Sequence, residues 1–321
     1  MHAARPLVWL GRHGSSVIAL GVFVGLAIPP FAALLKPLLV PAIVGPFLVA
    51  LIRLDWRRLS GHLSQPAAIA LALLWLLVLS PLLVHALAGA LALAPALHGA
   101  MVLMAAAPPL MASGALALML GLDVALAVVV TTLATTLMPV TVPAIALYLL
   151  GIGLDIALGT LMLRLGAIVG GSFVAAVVLR RLLPPGFTRR HAEALDGLAV
   201  LGLLIFSIAI MDGATAMLIA EPRFVLACAL AVYGLNLGLQ ILGSVLFAWR
   251  GAQGALTLGL CSGNANLGLL LAALADRAGH ELLVFVAAAQ LPIYTLPMIQ
   301  RPLYRRWLAG RPGPEIGRAH V

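Results

Sequence analysis

Two short stretches place small polar residues, glycines and prolines inside otherwise apolar sequence. The first, PPLMASGALAL, carries Ser113 and Gly114 just after Pro108 and Pro109; the second, LCSGNANLGLL, carries Cys261, Ser262, Gly263, Asn264 and Asn266. No nucleophile–base pair can be built from these groups, because neither histidine nor carboxylate stands beside them. Hydroxyls, carboxamides and one thiol can instead ligate a cation weakly or hydrogen-bond a polar solute. Pro108 and Pro109 withdraw two backbone donors and interrupt a helix, while Gly263 and Gly268 allow the second stretch to unwind. Broken helices expose backbone carbonyls and amides that coordinate cations or hold anions. A threonine cluster, Thr131, Thr132, Thr135 and Thr136, follows the first stretch; Thr131 and Thr135 share one helix face at i, i+4 spacing, and that face is expected to point toward the span that carries the first stretch. Asn236, Gln290 and Tyr294 are further polar groups in apolar surroundings, suited equally to interhelical hydrogen bonds and to solute contact. The competing reading of the glycines is simple close packing of helices.

The elements that position these residues follow from composition. Of 321 residues, 63% are hydrophobic and 9% charged, against roughly 45–50% and 25% in soluble domains. A bilayer must therefore be the solvent, which excludes a soluble enzyme, a nucleic-acid-binding domain and a disordered chain. The two cysteines, Cys228 and Cys261, form no disulfide framework or zinc spacing. Cutting the chain into apolar runs of about 20 residues gives ten spans, at about 14–29, 30–52, 66–86, 98–121, 123–150, 156–182, 192–211, 222–249, 252–275 and 280–299. Residues 1–13 carry Arg5 and Arg12 before an apolar run but no cleavage site, so the first run reads as a span rather than a signal peptide.

Arginine placement sets the orientation. With the N-terminus cytoplasmic, the cytoplasmic segments hold Arg5, Arg12, Arg53, Arg57, Arg58, Arg180, Arg181, Arg189, Arg190, Arg250, Arg301, Arg305, Arg306 and Arg311, against Arg223 and Arg277 outside. Ten helices with both termini inside is the consistent arrangement. The net charge of +9 is then a topology signal with affinity for anionic headgroups, not a nucleic-acid footprint. Trp56, Trp249 and Trp307 suit an interfacial aromatic belt. The ending EIGRAHV, residues 315–321, reads as a non-native tail like translated sequencing adapter. Residues 1–311 are expected to form one transmembrane domain.

The ten spans divide into five and five. Ser113-Gly114 in span 4 is echoed by Ser262-Gly263 in span 9, 149 residues later. Pro139 and Pro143 in span 5 are echoed by Pro292 and Pro297 in span 10. Five is odd, so the second half (about 156–300) enters the membrane from the side opposite to the first (about 14–150). That is an inverted-topology repeat, a common construction of secondary transporters, whose solute site lies where helices break in both halves.

At these residues the sequence resembles the bile acid:sodium symporter superfamily, which also contains arsenite exporters. The resemblance is carried by APPLMASGALALMLGLDVALAVVVTTLATTLMPVTVPAI, residues 107–145, and LGLCSGNANLGLLLAAL, residues 258–274; it extends loosely over about 14–308. It implies an all-α fold of ten transmembrane helices, a panel and a core domain, discontinuous helices 4 and 9 that cross, and Na⁺-coupled movement of an organic anion. Residue by residue, Ser113 and Thr131 match ion-binding positions of the Na⁺-coupled members, and Asn266 matches their asparagine. Gly114 stands where they have asparagine, Ala127 where they have serine, Cys261 where a glutamate touches both ions, and Ala265 where they have glutamine.

These readings converge on a secondary transporter that moves a small, anionic solute across a bacterial inner membrane by alternating access. Its expected site comprises Ser113, Gly114, Thr131, Thr135, Cys261, Ser262, Asn264, Asn266 and Gln290, with a weak Na⁺ site at Ser113, Thr131 and Asn266. No cofactor is expected; Na⁺ is the candidate coupling ion. Because no span carries a carboxylate at depth (Asp123, Asp155, Asp212, Asp276 and Glu281 fall at predicted ends), a Na⁺-independent exporter or facilitator, including arsenite-type efflux, is the alternative. An intramembrane enzyme lacks the residues it would need. Among single charges, Lys36 is expected to snorkel, Arg164 to snorkel, pair locally or attract an anion, and Glu193 and Asp196 to form a solvated helix start beside Arg189 and Arg190. His85 and His98 are read as interfacial polar caps with a proton carrier as the alternative.

Overall fold

The computed structural model describes residues 5–54, 66–150, 158–274 and 278–309. Trp56, Arg57, Arg58, Asp155, Asp276, Arg277, Arg311, the tail at 315–321 and the side chain of Tyr294 lie outside the described residues. Everything described is helix, turn or connection, apart from one isolated antiparallel bridge between Pro109 and Ala265. Helices α1 (Arg5–Arg12) and α2 (Gly14–Ala27) are bent by 90° at His13. They are followed by α3 (Pro29–Arg53), α4 (Pro66–Ala90), α5 (Pro95–Ala106), α6 (Ser113–Leu120), α7 (Val124–Leu150), α8 (Leu158–Leu182) and α9 (Ala192–Ala220). The series ends with α10 (Pro222–Leu246), α11 (Gly251–Gly263), α12 (Leu267–Leu274) and α13 (His280–Ala309).

Among the described residues seven helices, α3, α4, α7, α8, α9, α10 and α13, are long and apolar enough to cross a bilayer, and the bent pair α1–α2 passes the same test jointly. Large apolar side chains such as Phe23, Leu163, Val174, Leu230 and Ile241 stand exposed on the outside, as a lipid-facing surface requires. The two remaining expected spans are interrupted. Span 4 is α5 and α6 separated by residues 107–112, and span 9 is α11 and α12 separated by residues 264–266. Ala107 is extended, at φ −69°, ψ 141°, because the residue before a proline is driven out of the helical region. The second break has a different origin from the expected one. Gly263 and Gly268 have no left-handed φ; Gly263 ends α11 packed against α10, where a Cβ would lie 2.3 Å from the Asn236 carbonyl oxygen. The packing reading of that glycine is therefore the correct one. Gly259 belongs to the same close contact, with an added Cβ 2.4 Å from the Gln240 carbonyl oxygen.

Prolines behave differently in the long helices. Pro139 and Pro143 stay inside α7, and Pro292, Pro297 and Pro302 inside α13, which runs ten residues past its expected end at 299. In α4 the chain widens into a π-turn at Trp75–Leu79, a rare feature that re-aims side chains and recurs at functional sites.

The helices sort into two groups. Helix α9 packs on α1, α2 and α3; helices α5, α6, α7, α10, α11 and α13 pack on one another; and α8 runs between them, touching α3, α7 and α12. Ion pairs bind the first group together: Arg12–Glu193 at 2.9 Å, Lys36–Asp212 at 2.8 Å, and Arg53–Asp196. Lys36, half-exposed, also finds a partner in Asp212, and Glu193 and Asp196, in the exposed first turns of α9, pair with α1 and α3.

Candidate functional site

The two breaks meet. Leu110 N–H donates to the Asn264 carbonyl at 2.8 Å, and Asn266 N–H donates to the Pro108 carbonyl at 2.7 Å, around the Pro109–Ala265 pairing. Irregular backbone at membrane depth survives only when its polar groups are satisfied by protein or face water, and here each break satisfies the other. Helices α5 and α11 end at this crossing, whereas α6 and α12 begin there. The crossing therefore collects two sets of terminal carbonyls and two helix N-termini, whose free amides and dipoles favour negative charge.

A cavity of about 570 Å³ opens between the two helix groups and ends on the crossing. Its floor is formed by Leu110, Met111, Ala112, Ala265, Asn266 and Gly268. Gln290 lies in its wall, with its amide nitrogen bonded to the Val286 carbonyl at 3.1 Å. Ile43, Phe47, Leu203 and Phe206 make the facing wall apolar, and Arg12, Arg53 and Asp196 stand at the rim. A mostly apolar cleft with a few convergent polar groups is the usual form of a small-molecule site.

The expected site residues divide between this cavity and a region behind the crossing. Asn266 and Gln290 line the cavity. Ser113, Thr131, Thr135, Cys261, Ser262 and Asn264 are buried and do not line it. Asn266 is thus on the cavity side while Ser113 and Thr131 are behind the crossing. Cys261 lies beside Thr131, and Ala117, Leu120, Ala127, Leu260 and Cys261 form one small apolar cluster. Ser113 is one turn from Ala117 on α6, and Thr131 one turn from Ala127 on α7, so both hydroxyls lie at the crossing end of that cluster. Ser113 Oγ and Asn264 Oδ1 are buried with no hydrogen-bond partner, and Thr131 Oγ1 has only the Cys261 thiol beside it, while Asn264 Nδ2 donates to the Leu260 carbonyl at 2.9 Å. Gly114 offers no group at all: a Cβ there would sit 2.6 Å from Val128 Cγ2. Thr135 donates to the Thr131 carbonyl at 2.8 Å and contacts Met111 Sδ at 4.0 Å, so the threonine face points to span 4, at its break.

Trp75, Gln240 and Gln300 escaped the sequence reading, whereas Asn236 makes the interhelical bond that was one of its two expected roles. Trp75, aimed by the π-turn, donates its indole N–H to Ser262 Oγ at 2.9 Å, and Ser262 donates in turn to the Leu258 carbonyl at 2.7 Å. Behind α11 runs a carboxamide chain. Asn236 Nδ2 donates to the Gly263 carbonyl (2.8 Å), Gln240 Nε2 to Asn236 Oδ1 (2.6 Å), and Gln300 Nε2 to Gln240 Oε1 (2.9 Å). The i, i+4 spacing of Asn236, Gln240 and Ser244 was the available signal for it; Trp75 had none. Arg164 reaches the Ala273 carbonyl at 3.4 Å, at the C-terminal end of α12, and His98 and His85 share a 3.0 Å contact between ring nitrogens. Both are local pairings outside the cavity. Among the described residues no group of three or more His, Cys, Asp or Glu side chains gathers as a metal site would require.

No curated protein matches the chain. The model of the sodium bile acid symporter family matches residues 40–221, more than half of the chain, including Ser113, Thr131 and the whole first break. With the apolar helices above, this match makes the chain a multi-pass membrane protein and a transporter by family rather than an enzyme: it belongs to the sodium bile acid symporter family.

Proposed function

We propose that the chain is a secondary transporter that carries a small organic anion across a bacterial inner membrane by alternating access at the crossing. The observation that carries this reading is the joining of two helix breaks by paired backbone hydrogen bonds at the floor of a 570 Å³ cavity. Two helix N-termini at that floor supply amides and favourable dipoles for an anionic group without any buried cation. The apolar walls take the solute body, and Asn266 and Gln290 offer neutral hydrogen bonds.

Counting the bent pair and the two interrupted pairs with the seven long helices gives ten crossings, five in each half. That count supports the inverted repeat, and an even number of crossings is consistent with both termini on the arginine-rich face, which the arginine placement makes the cytoplasmic one. The cavity rim carries Arg12 and Arg53, so the conformation reads as open to the cytoplasm. Movement of the α1–α3/α9 group against the crossing helices would close that mouth and open the other side. Counterflow of a panel of labelled carboxylates into proteoliposomes containing the purified chain tests the proposal. Saturable exchange of at least one solute is expected, and the absence of exchange across the panel refutes it.

A further inference from the structure

The resemblance leads one to expect sodium behind the crossing, and the donor set there is the test of whether it fits. A hard cation needs a shell of oxygens and, in a low-dielectric interior, a nearby negative charge. Two oxygens are unpartnered there, Ser113 Oγ and Asn264 Oδ1, and Thr131 Oγ1 has only the Cys261 thiol beside it. All three are neutral. Cys261, at 2% exposure, adds a thiol, and sulfur is the ligand for soft metals rather than hard ones.

The neighbouring side-chain positions, and the Gly263 carbonyl, are taken. Beside Ser113, the space a side chain at position 114 would enter holds Val128 Cγ2, 2.6 Å from the site of a Cβ. Behind the second break, Ser262 Oγ accepts from Trp75 and donates to Leu258; an indole N–H is a donor only and ligates nothing. The Gly263 carbonyl accepts from Asn236. The carboxylates on helices near the crossing stand at helix ends: Asp123 at the start of α7, where Oδ1 accepts from Leu126 N–H at 2.9 Å, and Glu281 in the first turn of α13. Sodium does not fit this set.

We infer that the buried, neutral group of Ser113, Thr131, Cys261 and Asn264 holds no Na⁺, and that solute movement through this chain is not coupled to Na⁺. The coupling statement rests on the transporter reading above; the statement about the donor group does not.

The test uses the purified full chain in lipid nanodiscs and in proteoliposomes. Thermal unfolding is followed while NaCl replaces choline chloride at constant ionic strength, from low millimolar to several hundred millimolar. Coincident unfolding temperatures are expected; a saturable, Na⁺-specific rise overturns the inference. Counterflow of labelled cholate and of the carboxylate panel is then compared in the two salts. Rates within about twofold are expected, and a loss of tenfold or more in choline overturns the coupling statement. Absence of counterflow in both salts, with coincident unfolding temperatures, removes the transporter reading and leaves the statement about the neutral donor group standing.

Discussion

The contact between Gly114 and Val128 yields a sharp quantitative prediction. A Cβ at position 114 would lie 2.6 Å from Val128 Cγ2, whereas carbon atoms pack at about 3.5–4.0 Å. Gly114→Ala therefore creates an overlap of about 1 Å. Val128 cannot turn away, because a β-branched side chain in a helix has one strongly preferred rotamer; α6 and α7 must separate instead. Overpacking of this kind costs about 1–3 kcal/mol. Val128→Ala removes two methyl groups from a half-buried side chain, at about 1–1.5 kcal/mol from the transfer of the lost carbons. In the double variant the clash is gone, so its cost should not exceed that of Val128→Ala alone. The expected coupling is about 1–3 kcal/mol in favour of the double variant, well above the roughly 0.5 kcal/mol within which independent sites add. The four proteins are compared by reversible denaturant unfolding in detergent micelles. Additive effects would show that the valine methyl does not fill the space beside Ser113, and the packing half of the sodium argument would fail with it.

Other substitutions probe different parts of the account. Asn266→Ala removes a carboxamide from the cavity floor and should lower counterflow about fivefold or more, the kinetic equivalent of about 1 kcal/mol, with normal membrane insertion; an unchanged rate in proteoliposomes contradicts its role. Asn236→Leu strands the Gly263 carbonyl and Gln240 Nε2, two buried groups at about 1–3 kcal/mol each, so unfolding in detergent should show a loss of at least about 2 kcal/mol. Cys261→Glu places a carboxylate among neutral oxygens. An unpaired buried charge costs about 3–5 kcal/mol, and the variant, unlike the parent, should recover part of that stability specifically with NaCl in a thermal scan.

Much of the architecture is legible in the residues because bilayer physics leaves few choices. Apolar runs mark the long helices, and Pro108-Pro109 marks the first break. What sequence could not resolve is which polar groups share a side of the crossing. Ser113 and Asn266 look alike as small polar residues beside a break, yet one is sealed behind it and the other lines the cavity. That division follows from the bridge between Pro109 and Ala265, a pairing with no one-dimensional signature. Gly263 shows the opposite error: a glycine beside a break suggests backbone freedom, but its missing Cβ serves contact with α10. Trp75 was invisible because a π-turn aims it inward. The segment before residue 14 was legible only as part of the first span, although Arg5–Arg12 is a separate helix whose Gly11 and Arg12 line the cavity.

The central claim, that the crossing is reached alternately from both sides, is tested most directly at Ala112. This residue is exposed on the cavity floor, while the native Cys228 and Cys261 are buried and should react slowly. An Ala112→Cys variant in oriented membranes is treated with a membrane-impermeant thiol reagent from each face in turn. Labelling from both faces, slowed by a transported solute, is the predicted result. Labelling from one face only, whatever the solute concentration, would contradict alternating access.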